Sequence, residues 1–299
     1  MDVMKLITNG DAAAELLRRC SFAASHRVIP WRESWIDGPR PLRWWEAEEA
    51  EARAAWFERE FGVPMARYIA QCREQHAELV QGAAAGEELM LWFEYDLFDQ
   101  SMLAALLYRL WSLNRPAEKT APLKLSWVIA ETVEGVPDFR GLGQLTPEQL
   151  TGLWPQRKPV SEKELAAGAR AWAAYADGSA SAIEAWLRED GSVLPVMAAA
   201  LRFELERLPA FAADGLGVVE RETLRALAAE QAMTPDKLFG KVSAALPMLG
   251  MGDLSYWSVL NRMAEGDHPQ LVIDGEEPLP GFDSVHPIDW RKWRIRRAA

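Results

Sequence analysis

The chain has 299 residues, of which 49% are hydrophobic and 26% charged, a profile typical of a folded protein with one or two domains. Its net charge of −11 argues against a protein that mainly wraps nucleic acid, because positive charge supplies most of that affinity. No apolar run approaches the ~20 residues that span a bilayer, and the chain begins with a strand pattern rather than a signal peptide. We therefore expect a cytoplasmic protein with reduced cysteines and no membrane contact.

The first half of the chain alternates strand and helix patterns. Asp11 is expected to cap the first helix, which follows the first strand directly. Strands separated by helices predict parallel pairing, and hence an α/β domain over residues 1–155 with three layers and a parallel sheet of about four strands. Short apolar runs mark the strands: residues 5–8, 27–31, 88–94 and 123–130.

Helical patterns dominate the second half, which predicts a mainly helical domain over residues 156–299. The domain boundary is expected in the loop at residues 153–161, just before a capping box formed by Ser161 and Glu164. Three helices followed by a strand over residues 217–275 predict a winged-helix-like module. Because this module has no net positive charge in its first two helices, we expect no specific DNA binding.

Several long motifs resemble one bacterial family of unknown function. They include "LITNGD", "VIPWRESWIDGP", "LWFEYDLFDQ" and "MGDLSYWSVL", and they stand in the order found in that family. The resemblance covers nearly the whole chain and implies an N-terminal α/β domain followed by a second, uncharacterised helical domain. It implies no reaction. The family motif usually reads Trp-Arg-Asp where this chain has Glu33, so Glu33 is a weaker site candidate.

Polar side chains follow the first three strands at the edge of the sheet where ligands of parallel α/β proteins bind. Oxygen ligands without a matching set of histidines or cysteines favour a hard cation, Mg²⁺ or Mn²⁺, and we predict Asp11 and Asp96 as its central pair. Arg32 is suited to an anionic group of a small ligand. The predicted ligand-binding residues are Asn9, Asp11, Arg32, Glu94, Asp96, Asp99 and Gln100.

A purely structural interpretation of the same residues stays open. Asp11 and Asp99 each precede a helical run and can act as caps, and Asn9 begins a turn dipeptide. Glu94 can pair with Arg32 across neighbouring loops. Under this interpretation the acids stabilise the fold and bind nothing.

Other motifs are weaker. The glycine-containing loop "FRGLGQ" leads into a helix and can hold an anion on backbone N–H groups, but we favour a tight turn as its explanation. The tail "DWRKWRIRRAA" suits single-stranded nucleic acid or, as we favour, a final strand with packed tryptophans. No nucleophile motif is present. No metal or catalytic spacing relates the four histidines: His26, His76, His268 and His286.

Two classes of function follow from these observations. The first is a small-molecule site at the carboxyl edge, for a phosphorylated or nucleotide ligand with a divalent metal. The second is a regulatory or adaptor protein whose helical domain binds a protein partner. The sequence does not predict whether the protein is an enzyme.

Overall fold

The computed structural model describes residues 3–115, 121–208, 215–275, 277–284 and 287–298. The strands and helices predicted for the first half are present in it. His286 lies outside the described residues. The elements of the first half are β1 (Met4–Asn9), α1 (Gly10–Arg18), β2 (Arg27–Trp31), α2 (Ala47–Phe61), α3 (Met65–Ala85), β3 (Glu88–Glu94), α4 (Leu97–Leu113), β4 (Lys124–Ala130), α5 (Pro147–Leu153) and β5 (Lys158–Pro159).

The main sheet has the strand order β2-β1-β3-β4-β5. The first four strands are parallel, which confirms the α/β prediction, whereas β5 pairs antiparallel with β4. The sheet is therefore mixed and not wholly parallel as predicted. Strand β5 has two residues, one of which is Pro159. Proline cannot donate a ladder hydrogen bond, so it is tolerated here because β5 lies at the edge of the sheet.

Helices cover both faces of this sheet. On one face, α1 and α5 pack through Leu17 and Leu150 against strand residues such as Trp92. On the other face, α3 and α4 pack through residues such as Leu79 and Leu103. Side chains of a buried central strand are apolar in both directions, which explains the continuous apolar run of β3.

The second half is mainly helical, as predicted. After the last helix, which ends at Ala264, the chain forms a small two-stranded antiparallel sheet, and Met233 adds an isolated bridge to the last strand of that sheet. The elements are α6 (Glu162–Asp177), α7 (Ala180–Glu189), α8 (Pro195–Arg207), α9 (Val218–Ala229), α10 (Pro235–Ala245), α11 (Asp253–Ala264), β6 (Leu271–Asp274) and β7 (Arg294–Arg297).

The two halves share one hydrophobic core. Helix α6 packs along α4, and Trp172 of α6 donates a hydrogen bond from its indole to the Leu42 carbonyl at 3.0 Å. Tyr175 likewise donates its hydroxyl to the carbonyl of Trp35 at 3.0 Å. The predicted division between residues 155 and 156 stays a prediction, because the segment around it belongs to the sheet through β5.

The basic tail forms β7 and does not extend away from the protein. Trp293 and Ile295 are buried in the core, as expected for a packed final strand. Arg296 pairs with Asp274 at 2.8 Å on the neighbouring strand, and Arg291 pairs with Asp289 at 2.8 Å. These pairs leave fewer positive charges for an external anion.

Candidate functional site

The strand order places a crevice between β1 and β3. The chain leaves β1 toward β2 on one side, whereas the connection after β3 leads to β4 on the other side. At such a switch point the loops diverge and leave room for a ligand at the carboxyl ends of the strands. Asn9 ends β1 and Glu94 ends β3, so both lie at this crevice.

The three carboxylates of the β3–α4 connection come together there. Each contributes one carboxylate oxygen to a group whose members lie within 4.8 Å of one another. Glu94 is 4% exposed, Asp96 3% and Asp99 0%. The sequence did predict three acids at this edge, but not that all three would be buried.

Hydrogen bonds hold Asp99 at the centre of this group. Its Oδ1 accepts from the backbone N–H of Glu94 at 2.8 Å, and its Oδ2 accepts from the amide of Asn9 at 2.6 Å. The same Asn9 amide donates to Oε1 of Glu94 at 3.1 Å. Asn9 therefore bridges two carboxylates across the switch point.

Asp96, and not Asp99, caps helix α4. Its Oδ1 accepts from the backbone N–H of Asp99 at 2.9 Å, which satisfies one of the free donors at the helix start. The capping prediction for Asp99 was therefore wrong. Asp11 does not cap α1 either, because Asn9 occupies the cap position without a side-chain bond.

Burial raises the pKa values of all three acids. The pKa of Glu94 rises to about 8, first through burial and then through the charge of Asp96, although Leu142 and Asn9 donate to it. Burial raises the pKa of Asp96 to about 7. The pKa of Asp99 lies well above its usual range because of burial and the charges of the other two acids. Each carboxylate is thus costly to ionise in the absence of a cation.

No lysine or arginine within the described ranges pairs with these acids. Oε1 of Glu94 accepts from Asn9 and from the backbone N–H of Leu142. Its Oε2 accepts no hydrogen bond from any residue that the structure describes, although Glu94 lines a cavity. A cation or a ligand donor in this cavity would satisfy that oxygen.

The backbone at Gly141 and at Gly250 lies close to the acids. A Cβ atom at Gly141 would lie 2.7 Å from Oε2 of Glu94, and one at Gly250 would overlap with the carboxylate of Asp96. Gly250 also has φ +65°, a left-handed conformation that favours glycine. Leu97 donates its backbone N–H to the Met248 carbonyl at 2.7 Å, which fixes this loop against the start of α4.

The acids lie at one side of a cavity of about 310 Å³. Much of the remaining wall comes from helix α10 and the loop at residues 246–251, and both belong to the second half of the chain. Arg140, from the loop after β4, also lines the cavity, and its Nη1 donates to the Ser243 carbonyl at 3.2 Å. The site is therefore built between the two halves.

Two of the predicted site residues lie elsewhere. Asp11, with a side chain 67% exposed, forms a bidentate pair with Arg32 on the surface. This pair lowers the pKa of Asp11, chiefly through the hydrogen bond from Arg32. The predicted metal pair of Asp11 and Asp96 does not come together, because Asp11 follows the turn of α1 to the surface while Asp96 turns inward to cap α4.

Gln100 contacts the end of β3 and lies outside the cavity lining. Its side-chain amide donates to the Glu94 carbonyl at 2.5 Å and so fixes the end of β3. It does not line the cavity beside the acids. The loop "FRGLGQ" donates one backbone N–H, that of Leu142, to the Glu94 side chain, and its predicted binding of an external anion stays a prediction.

Glu33, the weaker site candidate, is part of a separate buried network. It pairs with Arg53 at 2.6 Å and accepts from the Tyr68 hydroxyl at 2.6 Å. Arg53 also stacks on Trp35 with its guanidinium carbon 4.0 Å from the ring centroid. These contacts satisfy both charges within the fold and give Glu33 a structural role.

Sequence reasoning missed Arg140 and the wall contributed by α10 and residues 246–251. Arg140 belongs to the glycine-containing loop "FRGLGQ" noted above, and this was a weak signal of its position. No local pattern links "LPMLGMGD" to a strand end more than 140 residues earlier. Only packing of the two halves brings them together.

Comparison of the chain with models of known protein families finds no match, and a search of curated proteins finds none either. The resemblance to a bacterial family of unknown function therefore stays a prediction. In the parts of the chain that the structure describes, no helix has both the length and the apolarity required to cross a membrane.

Proposed function

We propose that this protein binds a divalent cation, Mg²⁺ or Mn²⁺, through Glu94, Asp96 and Asp99. The observation that carries the proposal is the close grouping of these three buried carboxylates without a lysine or arginine partner among the described residues. Ionising several buried carboxylates side by side is unfavourable unless a positive charge compensates them. Carboxylate oxygens are the ligands that Mg²⁺ and Mn²⁺ prefer.

The cavity beside the cation supports binding of a small phosphorylated or nucleotide ligand. Its volume of about 310 Å³ lies at the lower end of the range for small-molecule sites. A cation held by three carboxylates keeps coordination positions for oxygens of a ligand, as Mg²⁺ commonly does with phosphates. Arg140 lines the same cavity and supplies a second positive charge.

Titration of the full-length protein with Mn²⁺ at pH 8 tests the cation site. We expect saturable binding by calorimetry and, at about 100 times the dissociation constant, about 2.7 kcal/mol of stabilisation. For a chain of this size such stabilisation corresponds to a rise in melting temperature of roughly 4 °C. Asp96→Asn should abolish both effects.

Asp11→Asn is the matched control. It removes the same charge from the neighbouring strand end but lies outside the acid group, so Mn²⁺ binding should be unchanged. Loss of binding in Asp11→Asn with retention in Asp96→Asn would refute the assignment, as would an unmodified protein that does not bind Mn²⁺ at all.

We further propose that residues 217–275 form a winged-helix-like module whose role is to close the site and not to read DNA. The helix order α9, α10, α11, the strand β6 and the Met233 bridge support this topology. Helix α11 would be the recognition helix, yet it is largely buried. Its Ser255 donates to Asp37 at 2.7 Å in the first half, so this helix is not free to enter a groove.

We also propose that the chain belongs to the bacterial family of unknown function that its motifs resemble, and that the protein is cytoplasmic. The order of the motifs along the chain supports the first. Two cysteines without a disulfide, Cys20 and Cys72, support the second. The alternative of an adaptor protein has less support, because the helical half packs on the α/β half through a shared core.

A further inference from the structure

The cavity has two chemically different sides. Glu94, Asp96 and Asp99 form the charged side, together with the amide of Asn9. The other side is contributed by the second half of the chain and is mostly apolar. Its apolar residues are Phe239, Val242, Leu246, Pro247, Leu249 and Met251.

The charged side offers two positive groups to a ligand once the proposed cation is bound. These are the cation itself and the guanidinium of Arg140, which lines the same cavity. Arginine matches phosphate oxygens in a planar, two-pronged geometry.

The apolar wall indicates the polarity of the part of the ligand that lies outside its anionic group. Val242 and Leu249 are buried, and the ring of Phe239 packs in a tilted arrangement against that of Tyr256, with 5.5 Å between the ring centroids. Sugar hydroxyls placed against such a wall would lose hydrogen bonds to water without replacement. An apolar body would instead gain free energy on leaving water.

We infer that the ligand is a small phosphate monoester with an apolar body about the size of an aromatic ring. Its phosphate bridges the cation and Arg140, and its body lies against the wall formed by α10 and residues 246–251. This inference rests on the proposed cation site and names the class of ligand that the site takes. A nucleotide fits this class when its base, and not its sugar, meets the wall.

Competition between simple phosphates tests the inference with the full-length protein loaded with Mn²⁺. Phenyl phosphate should bind about tenfold more tightly than inorganic phosphate, because its ring buries apolar surface. Ribose 5-phosphate, which has a polar body, should gain no such advantage. Equal affinities for phenyl phosphate and ribose 5-phosphate would overturn the inference.

Two variants separate the phosphate contact from the wall. Arg140→Gln should weaken both inorganic phosphate and phenyl phosphate by about tenfold, the loss typical of one charge-assisted contact. Met251→Gln should reduce only the advantage of phenyl phosphate. Arg157→Gln is the control. Like Arg140, Arg157 is exposed and donates to a backbone carbonyl, that of Trp154 at 3.0 Å, but Arg157 lies outside the cavity.

The outcomes distinguish this inference from the proposed function. If Mn²⁺ binds and Arg140→Gln leaves phosphate affinity unchanged, the ligand class is wrong while the cation site stands. If Mn²⁺ does not bind to the unmodified protein, the proposed function itself fails.

Discussion

Replacing Asp96 by asparagine should stabilise the protein when no cation is present. Burial raises the pKa of Asp96 from 3.8 to about 7, so the folded protein opposes its ionisation. At about 1.4 kcal/mol for each tenfold change, keeping this carboxylate ionised costs about 4 kcal/mol. Asparagine has the same shape, remains a good helix cap and can accept the bond from the Asp99 N–H. We expect Asp96→Asn to gain about 3 kcal/mol at pH 8.

The gain should depend on pH in a defined direction. At pH 4.5 the carboxyl of Asp96 is mostly protonated in the folded protein, so the same substitution should gain only about 1 kcal/mol. Urea unfolding in the presence of a chelator, followed by tryptophan fluorescence at both pH values, measures the difference. A variant that is less stable than the unmodified protein at pH 8 would show that Asp96 is favourably paired and would refute this reasoning.

Asp190→Asn is the control, because its expected change in stability has the opposite sign. Asp190 is also buried, but Arg170 donates to it at 2.6 and 2.7 Å, and this hydrogen bonding lowers the pKa of Asp190. A lowered pKa means that the folded state favours the carboxylate, so this variant should lose stability at neutral pH. Both substitutions remove one charge, and only the surroundings of the carboxyl group differ.

Three further results are expected. The stability of the unmodified protein without cation should fall as pH rises from about 4 to 8, because the pKa values of Glu94 and Asp96 are raised to about 8 and 7. The affinity for Mn²⁺ should rise over the same pH interval, because the cation binds the ionised carboxylates. Gly250→Ala should lose about 2 kcal/mol or more and weaken Mn²⁺ binding, whereas Gly62→Ala, at φ +73° with nothing within 4 Å, should show the backbone cost alone. The full-length protein should show no sequence-selective DNA binding at physiological salt in a competition assay, and selective binding would contradict the proposed role of α11.

Most secondary structure was predictable from local pattern. Strands β1 to β4 were marked by apolar runs, and the capping box of Ser161 and Glu164 was correctly predicted from the local sequence. These signals are local, since a cap needs only the next three residues and a buried strand only its own apolar side chains. The caps at Asp11 and Asp99 were misplaced because α1 begins at Gly10 and α4 at Leu97, so that Asn9 and Asp96 occupy the cap positions.

The sequence by itself determined that acids gather at the carboxyl edge of an α/β sheet, because that follows from where each strand ends. It did not determine which of them meet. The order of the strands, which places β1 beside β3, brings Asn9 to Glu94 and Asp99, while the α1 turn carries Asp11 out to Arg32. The burial that raises the pKa values of these acids was decided only by the tertiary structure. It depends on Gly250 and its loop, which reach the site through the packing of distant helices, an arrangement that no local pattern encodes.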